Sequence, residues 1–290
     1  MNLPLILASI VFVGWGTGDL FTIVAARRIG ANLTVFWVFF SSLILSLILM
    51  PFVPHNFQLI TFPLLLLNIF LGILYVVGNV LVTEAFRLSS APLVGIIIQS
   101  FPAVVLVLSA LFFKDKITTS QAIYTIIIFT GIFLSSVDIR KLLTSQKLID
   151  RGTSIALLAM VCLSIYFTFL RIPINAYGWF LPNFIGNACF PIIYFFLRAR
   201  KEKFSFPTTI PVLVSVLMVG LLIKAGDFSL NWGLSIPGAS SLVAPIAGAS
   251  PILFVTLSAL IFKDKVTKQQ VFGILVTLIG IVLLTTLGQS

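Results

Sequence analysis

Ten apolar runs, each about 20 residues long, leave this chain essentially one way to fold. They lie near residues 3–25, 33–53, 62–86, 91–113, 120–137, 153–172, 178–198, 210–231, 239–262 and 268–287. As a helix, each is long enough to cross a hydrocarbon core of ~30 Å. Charged residues make up only 9% of the 290, against roughly 25% in a soluble domain. Too few charges are present to cover a water-facing surface, so the main solvent is lipid. Lipid offers no partners to backbone N–H and C=O groups, which favours helices. The runs are continuous rather than alternating, unlike a barrel wall. The sequence therefore predicts an all-α integral membrane protein with ten transmembrane helices.

The chain also repeats itself. LSALFFKDKITTSQ (108–121) returns as LSALIFKDKVTKQQ (257–270), 149 positions later. Pro102 then pairs with Pro251, and Gly131 with Gly280. Upstream, GNVLVTEAFRLSSA (78–91) matches GDFSLNWGLSIPGA (226–239) more weakly, one residue out of step. The expected organisation is a first five-helix repeat over 1–138, a polar linker over 139–152, and a second repeat over 153–290. An odd number of spans forces the second copy to enter the membrane from the opposite side. Such inverted repeats are the architecture of many secondary transporters. The two Lys-Asp-Lys loops, 114–116 and 263–265, must then lie on opposite faces. Span-end charges are commonly anchors, so each loop reads as a capped, solvated turn.

Of the 18 Lys and Arg residues, only Lys114, Lys116, Arg171 and Lys224 fall outside loops 1–2, 3–4, 5–6, 7–8 and 9–10 and their flanks. Positive-inside bias puts the charged loops in the cytoplasm and both termini outside. The first run has no basic leader and no A-x-A site, so it is expected to remain as a span. A net charge of +10 does not indicate a nucleic-acid partner here, because the basic residues sit at span ends. Cys162 and Cys189 lie inside spans, without metal spacing, and read as small apolar filler. The sequon Asn32-Leu33-Thr34 falls on the cytoplasmic side of this topology and is discounted as a glycosylation site. His55 is alone in a short loop.

Several features together resemble the drug/metabolite transporter superfamily, of the EamA-like type. They are two five-span halves, Trp15-Gly16 midway through the first span, AFRLSSA from Ala85 to Ala91, P-x-x-x-x-x-L-S-A in the fourth and ninth spans, and glycines in the fifth and tenth. The resemblance covers essentially the whole chain. It implies a carrier whose third, fourth and sixth spans, with their repeat mates, line a central pathway. Substrates across such proteins include amino acids, sugars, nucleotide sugars, phosphorylated metabolites and drugs, so the resemblance names no substrate. Two departures stand out. The usual short Gly-Glu turn after the fourth and ninth spans is Lys-Asp-Lys, and the loop Val53–Thr61 lacks basic residues.

Ionisable residues inside spans are costly and are functional suspects. Asp19 follows Trp15 by four residues, so both share a helix face. Glu84 lies late in the third span with Arg87 three residues on, which suits an interfacial ion pair as well as a cavity role. Lys224 and Asp227 stand at i,i+3 and can neutralise each other. Asp227 aligns with Asn79 in the repeat, which suggests two related polar positions facing one cavity. Tyr75, Asn79, Gln99 and Tyr166 form a second polar and aromatic set, although each alone reads more readily as a helix–helix contact. Gly14 and Gly18 form a GxxxG packing motif.

The expected function is secondary-active transport of small metabolites by alternating access. Amino acids or similar zwitterions fit Trp15, Asp19, Tyr75, Asn79, Gln99, Tyr166, Lys224 and Asp227 as substrate-binding residues. Asp19 and Glu84 are the coupling candidates, with efflux and proton coupling as open options. A sugar or other neutral-metabolite carrier is the alternative. From other classes, a non-transporting scaffold or sensor and a lipid-handling membrane protein remain. No P-loop, metal cluster or nucleophile elbow is present, so neither an enzyme, a cofactor nor a metal is expected. The expected partners are a small-molecule substrate and the lipid bilayer. A monomer suffices, a homodimer is also compatible, and short loops suggest the plasma (inner) membrane.

Overall fold

The computed structural model describes residues 3–136, 149–207, 209–236 and 239–287. Helices account for nearly all of it, and no strand occurs among the described residues. Helix α1 spans Leu3–Ile29, α2 Ala31–Leu49, α3 Phe62–Leu88, α4 Ala91–Gln99, α5 Phe101–Phe113 and α6 Thr119–Ser136. In the second half, α7 spans Arg151–Tyr177, α8 Phe180–Ala188, α9 Ile193–Ala199, α10 Ile210–Ser235, α11 Ser240–Gly248, α12 Ser250–Phe262 and α13 Lys268–Thr286. Among the described residues, 9 helical segments of 18–27 residues are apolar enough to cross a membrane, with a shorter tenth at Ile246–Phe262. This is an all-α multi-pass membrane protein. The linker residues up to Leu148, with Arg140, Lys141 and Lys147, lie outside the described residues.

Three predicted spans are broken rather than continuous. The fourth splits at Ser100 ahead of Pro102, and the ninth at Ala249 ahead of Pro251. The seventh splits into α8 and α9 around a 3₁₀ turn that contains Pro191. Proline has no N–H and its ring crowds the carbonyl four residues back, so the helix must restart there. At the first break, Ser164 of α7 donates to the Phe101 carbonyl at 3.3 Å.

The two halves repeat these local devices. Gly30 between α1 and α2 and Gly178 between α7 and α8 both have φ 83°. That conformation turns the chain sharply and strains any residue with a Cβ. Lys114 and Lys263 end α5 and α12 in the left-handed region. Thr118 with Gln121, and Thr267 with Gln270, exchange the reciprocal bonds of a capping box.

Packing between the halves follows the same symmetry. The most extensive contacts are α1 on α10, α3 on α7, and α6 on α13. The first two are one contact made twice by equivalent helices, and the third joins a pair of mates, as a two-fold relation between the halves requires. Outward, Phe62, Phe70, Phe195 and Ile210 are 72%, 61%, 71% and 77% exposed. In a lipid solvent these are ordinary outer-surface residues. The inner core gathers Phe86, Leu93, Ile96, Ile97 and Phe254 from α3, α4 and α12.

Glycines let the helices meet backbone to backbone. A Cβ on Gly131 would stand 2.5 Å from the Thr277 nitrogen and 2.8 Å from the Gly273 carbonyl oxygen. A Cβ on Gly273 would strike the backbone of Ser135 in turn. Backbone cannot swing aside as a side chain does. Gly131→Ala is expected to cost about 1–3 kcal/mol, read as a lower thermal midpoint in detergent. An unchanged midpoint would contradict this packing.

Candidate functional site

Helix α1 crosses α10 closely enough to bring their polar residues together. A Cβ on Gly14 would lie 2.5 Å from the Leu222 carbonyl oxygen. Gly226 leaves the space into which the Trp15 indole lies, since a Cβ there would be 2.7 Å from the Trp15 ring. The packing role read for Gly14 and Gly18 is thus made against α10. Trp15 can then donate from Nε1 to Asp227 Oδ1 at 3.1 Å, across the two halves.

Lys224 Nζ donates to the other Asp227 oxygen, Oδ2, at 2.8 Å. Lys224 is buried, with 4% of its side chain exposed against 19% for Asp227. The pair is formed within one helix turn, as the i,i+3 spacing predicted. Its ammonium carries three N–H donors, and Asp227 takes one. It also stands 5.9 Å from the centre of the Tyr75 ring, within cation–π range.

Two adjoining chambers surround this arrangement. The first, about 60 Å³, is lined by Asp19, Tyr75, Asn79 and Lys224 together with Thr22, Thr34, Ser42, Thr83 and Asn187. The second, about 100 Å³, is lined by Trp15, Asp19, Tyr75, Asn79, Gln99 and Asp227, with Phe101, Leu163 and Phe167 as apolar wall. Asp19, Tyr75, Asn79, Val82 and Ile223 belong to both. The volumes admit several waters each. Asp19 is the exceptional member. It faces both chambers, yet has no hydrogen-bond or ion-pair partner among the described residues.

Seven of the eight residues singled out in the sequence therefore line one or both of these adjoining chambers. Tyr166 does not. It is 2% exposed and stacks behind Tyr75, with ring centroids 4.4 Å apart. It shapes the Tyr75 wall without reaching the space. Glu84 also stands apart. Arg87 Nε and Nη2 donate to its two oxygens at 2.9 Å, and Arg200 Nη1 reaches Oε1 at 3.5 Å. Asn32 is fully buried and donates to Glu202 at 3.0 Å.

Leu163 and Phe167 were missed, and a signal for them existed. Shifting Trp15, Asp19, Tyr75 and Asn79 by 148 positions lands on Leu163, Phe167, Ile223 and Asp227, and all eight line the second chamber. Equivalent positions face the same space from each half, while their chemistry has diverged. Asn187 and the chamber threonines gave no such signal, because isolated hydroxyls and amides in spans ordinarily bond neighbouring helices. Thr34 and Thr83 do bond backbone carbonyls four residues back.

A doubled five-span fold around a polar chamber deep in the bundle defines a membrane transporter architecture. The sequence model of the EamA-like transporter family matches residues 2–137 and 150–286. The chain belongs to that family. An uncharacterized protein of Methanocaldococcus jannaschii is 29% identical over 109 residues, covering 38% of this chain and 75% of that protein. A solved crystal structure, described only as a protein, superposes with a TM-score of 0.65 at 13% identity, over 99% of this chain and 97% of that one. That likeness supports the fold alone.

Proposed function

We propose that the protein is a secondary carrier of amino acids or similar small zwitterions, working by alternating access. The observation that carries this reading is Asp19, a carboxyl group with no hydrogen-bond or ion-pair partner among the described residues, which lines the same chamber as the amine of Lys224. A substrate ammonium would meet Asp19, and its carboxylate would take the free Lys224 donors and the Gln99 amide. Trp15, Tyr75, Phe101 and Phe167 would enclose the side chain. The chambers have room for only a small solute, so a larger occupant requires the two halves to part.

Asp19 is also the better coupling candidate, as embedded carboxylates serve as proton relays while Glu84 is held by two arginines. Short loops support the plasma (inner) membrane, and the basic-residue bias supports both termini outside. One chain holds both repeats, so a monomer suffices. If Lys224 and Asp227 stay paired throughout, the donors around them favour a sugar instead.

Counterflow in proteoliposomes tests the reading. Vesicles loaded with a mixed amino-acid pool are expected to accumulate labelled amino acids, and vesicles loaded with a sugar pool to accumulate none. Accumulation with sugars alone would keep the carrier and overturn the zwitterion.

A further inference from the structure

The repeated Lys-Asp-Lys loops do more than cap helices. Asp264, after α12, accepts from Arg27 Nη2 at 2.7 Å, and Arg27 closes α1 of the other half. Asp115, after α5, accepts from Arg171 Nη1 at 2.6 Å, and Arg171 belongs to α7 of the other half. Each guanidinium also lies against the phenylalanine that precedes the loop. Arg27 is 4.9 Å from the Phe262 ring centre and Arg171 is 3.5 Å from that of Phe113. Asp115 and Asp264 are repeat mates, as are Phe113 and Phe262, 149 positions apart. The aspartates and phenylalanines are thus equivalent, whereas the arginines are not repeat mates, since Arg27 shifted by 148 positions falls on Asn175, one helical turn beyond Arg171. Each ion pair nevertheless crosses the boundary between the halves.

Their positions relative to the chambers match this symmetry. The first chamber extends from Asp19 through Thr22, Thr34 and Thr83 toward the Arg27 end of α1. The second extends to Phe167, one turn short of Arg171. A cross-half ion pair stands beyond each chamber. We infer that Arg27–Asp264 and Arg171–Asp115 are paired latches, each holding the pathway shut on its own face and released when that face opens. This rests on the alternating-access reading above. The arms are unequal. Asp264 is 18% exposed and Asp115 45%, and Asp264 also accepts from the Ala91 backbone at the start of α4 at 2.8 Å. The Arg27 latch is the stronger one, since exposed pairs are weakened by solvent.

The test uses Val82, which lines both chambers, as a reporter. Val82→Cys is introduced with Cys162→Ala and Cys189→Ser, and is labelled by an impermeant thiol reagent in right-side-out and inside-out vesicles. Asp264→Asn keeps an acceptor for Ala91 and removes only the charge. It is expected to raise labelling from the Asp264 face by about two- to fivefold and to lower it from the other. Asp115→Asn is expected to shift labelling in the opposite sense. Arg27→Gln and Arg171→Gln, which leave the loops intact, are expected to reproduce their partners' effects. Equal shifts in the same direction, or parental labelling in all four variants, would overturn the latches. A parent labelled from neither face would instead overturn alternating access through this chamber.

Discussion

Replacing Asp19 by Asn is expected to cut amino-acid counterflow sharply while the protein inserts and folds as before. Asn has the same shape, and no hydrogen bond or ion pair to a described residue is lost. What disappears is an acidic side chain facing both chambers, and with it the group that would hold the substrate ammonium. A hydrogen bond to a charged group is worth about 1.5–3 kcal/mol, which corresponds to roughly ten- to 150-fold in affinity. Uptake at fixed concentration, with monodispersity in detergent as the control for folding, reads the effect. Unchanged exchange, with and without a pH gradient, would remove Asp19 from both binding and coupling. Loss of exchange together with loss of monodispersity would show a structural role instead.

Asp227→Leu is expected to damage the fold itself. It strands the Lys224 ammonium in a site with 4% side-chain exposure and leaves the Trp15 N–H without its acceptor. Removing one partner of a buried ion pair costs about 3–5 kcal/mol, whereas replacing both by apolar groups is often neutral. Lys224→Met combined with Asp227→Leu should therefore recover most of the thermal midpoint that Asp227→Leu loses. The double variant should still fail to exchange amino acids, because the donor for the substrate carboxylate is gone. If the double variant transports normally, the pair is only a structural brace. If it is no more stable than the single variant, the destabilisation lies elsewhere, in the Trp15 contact across the halves.

These outcomes bear on what the sequence made legible. Span placement followed from apolar length alone, and the repeated loop pointed to the inverted arrangement. Lys224 with Asp227, and Glu84 with Arg87, were readable because i,i+3 spacing places them on one helix face. The meeting of Trp15 with Asp227 was half readable. The alignment of Asn79 with Asp227 suggested a shared cavity, but only the close α1–α10 crossing at Gly14 and Gly226 puts the indole on the carboxylate. Tyr166 was placed in the space because of its residue type, whereas packing puts it behind Tyr75. The Lys-Asp-Lys aspartates read as solvated turn residues, since nothing local marks an arginine 237 positions from Asp264 or 56 from Asp115. Pairings between distant segments are set by the docking of the halves, which no local pattern specifies.

The most direct test of the account asks whether a transported solute enters the chamber beside Asp19. Trp15 sits there as a natural reporter. With Trp37, Trp179 and Trp232 replaced by Phe, its fluorescence can be followed while the amino-acid pool that exchanges in counterflow is added to the protein in lipid nanodiscs. The account predicts a saturable change in Trp15 emission that disappears in Asp19→Asn. An exchanging solute that leaves Trp15 emission unmoved, or moves it equally in Asp19→Asn, would contradict the placement of the substrate site.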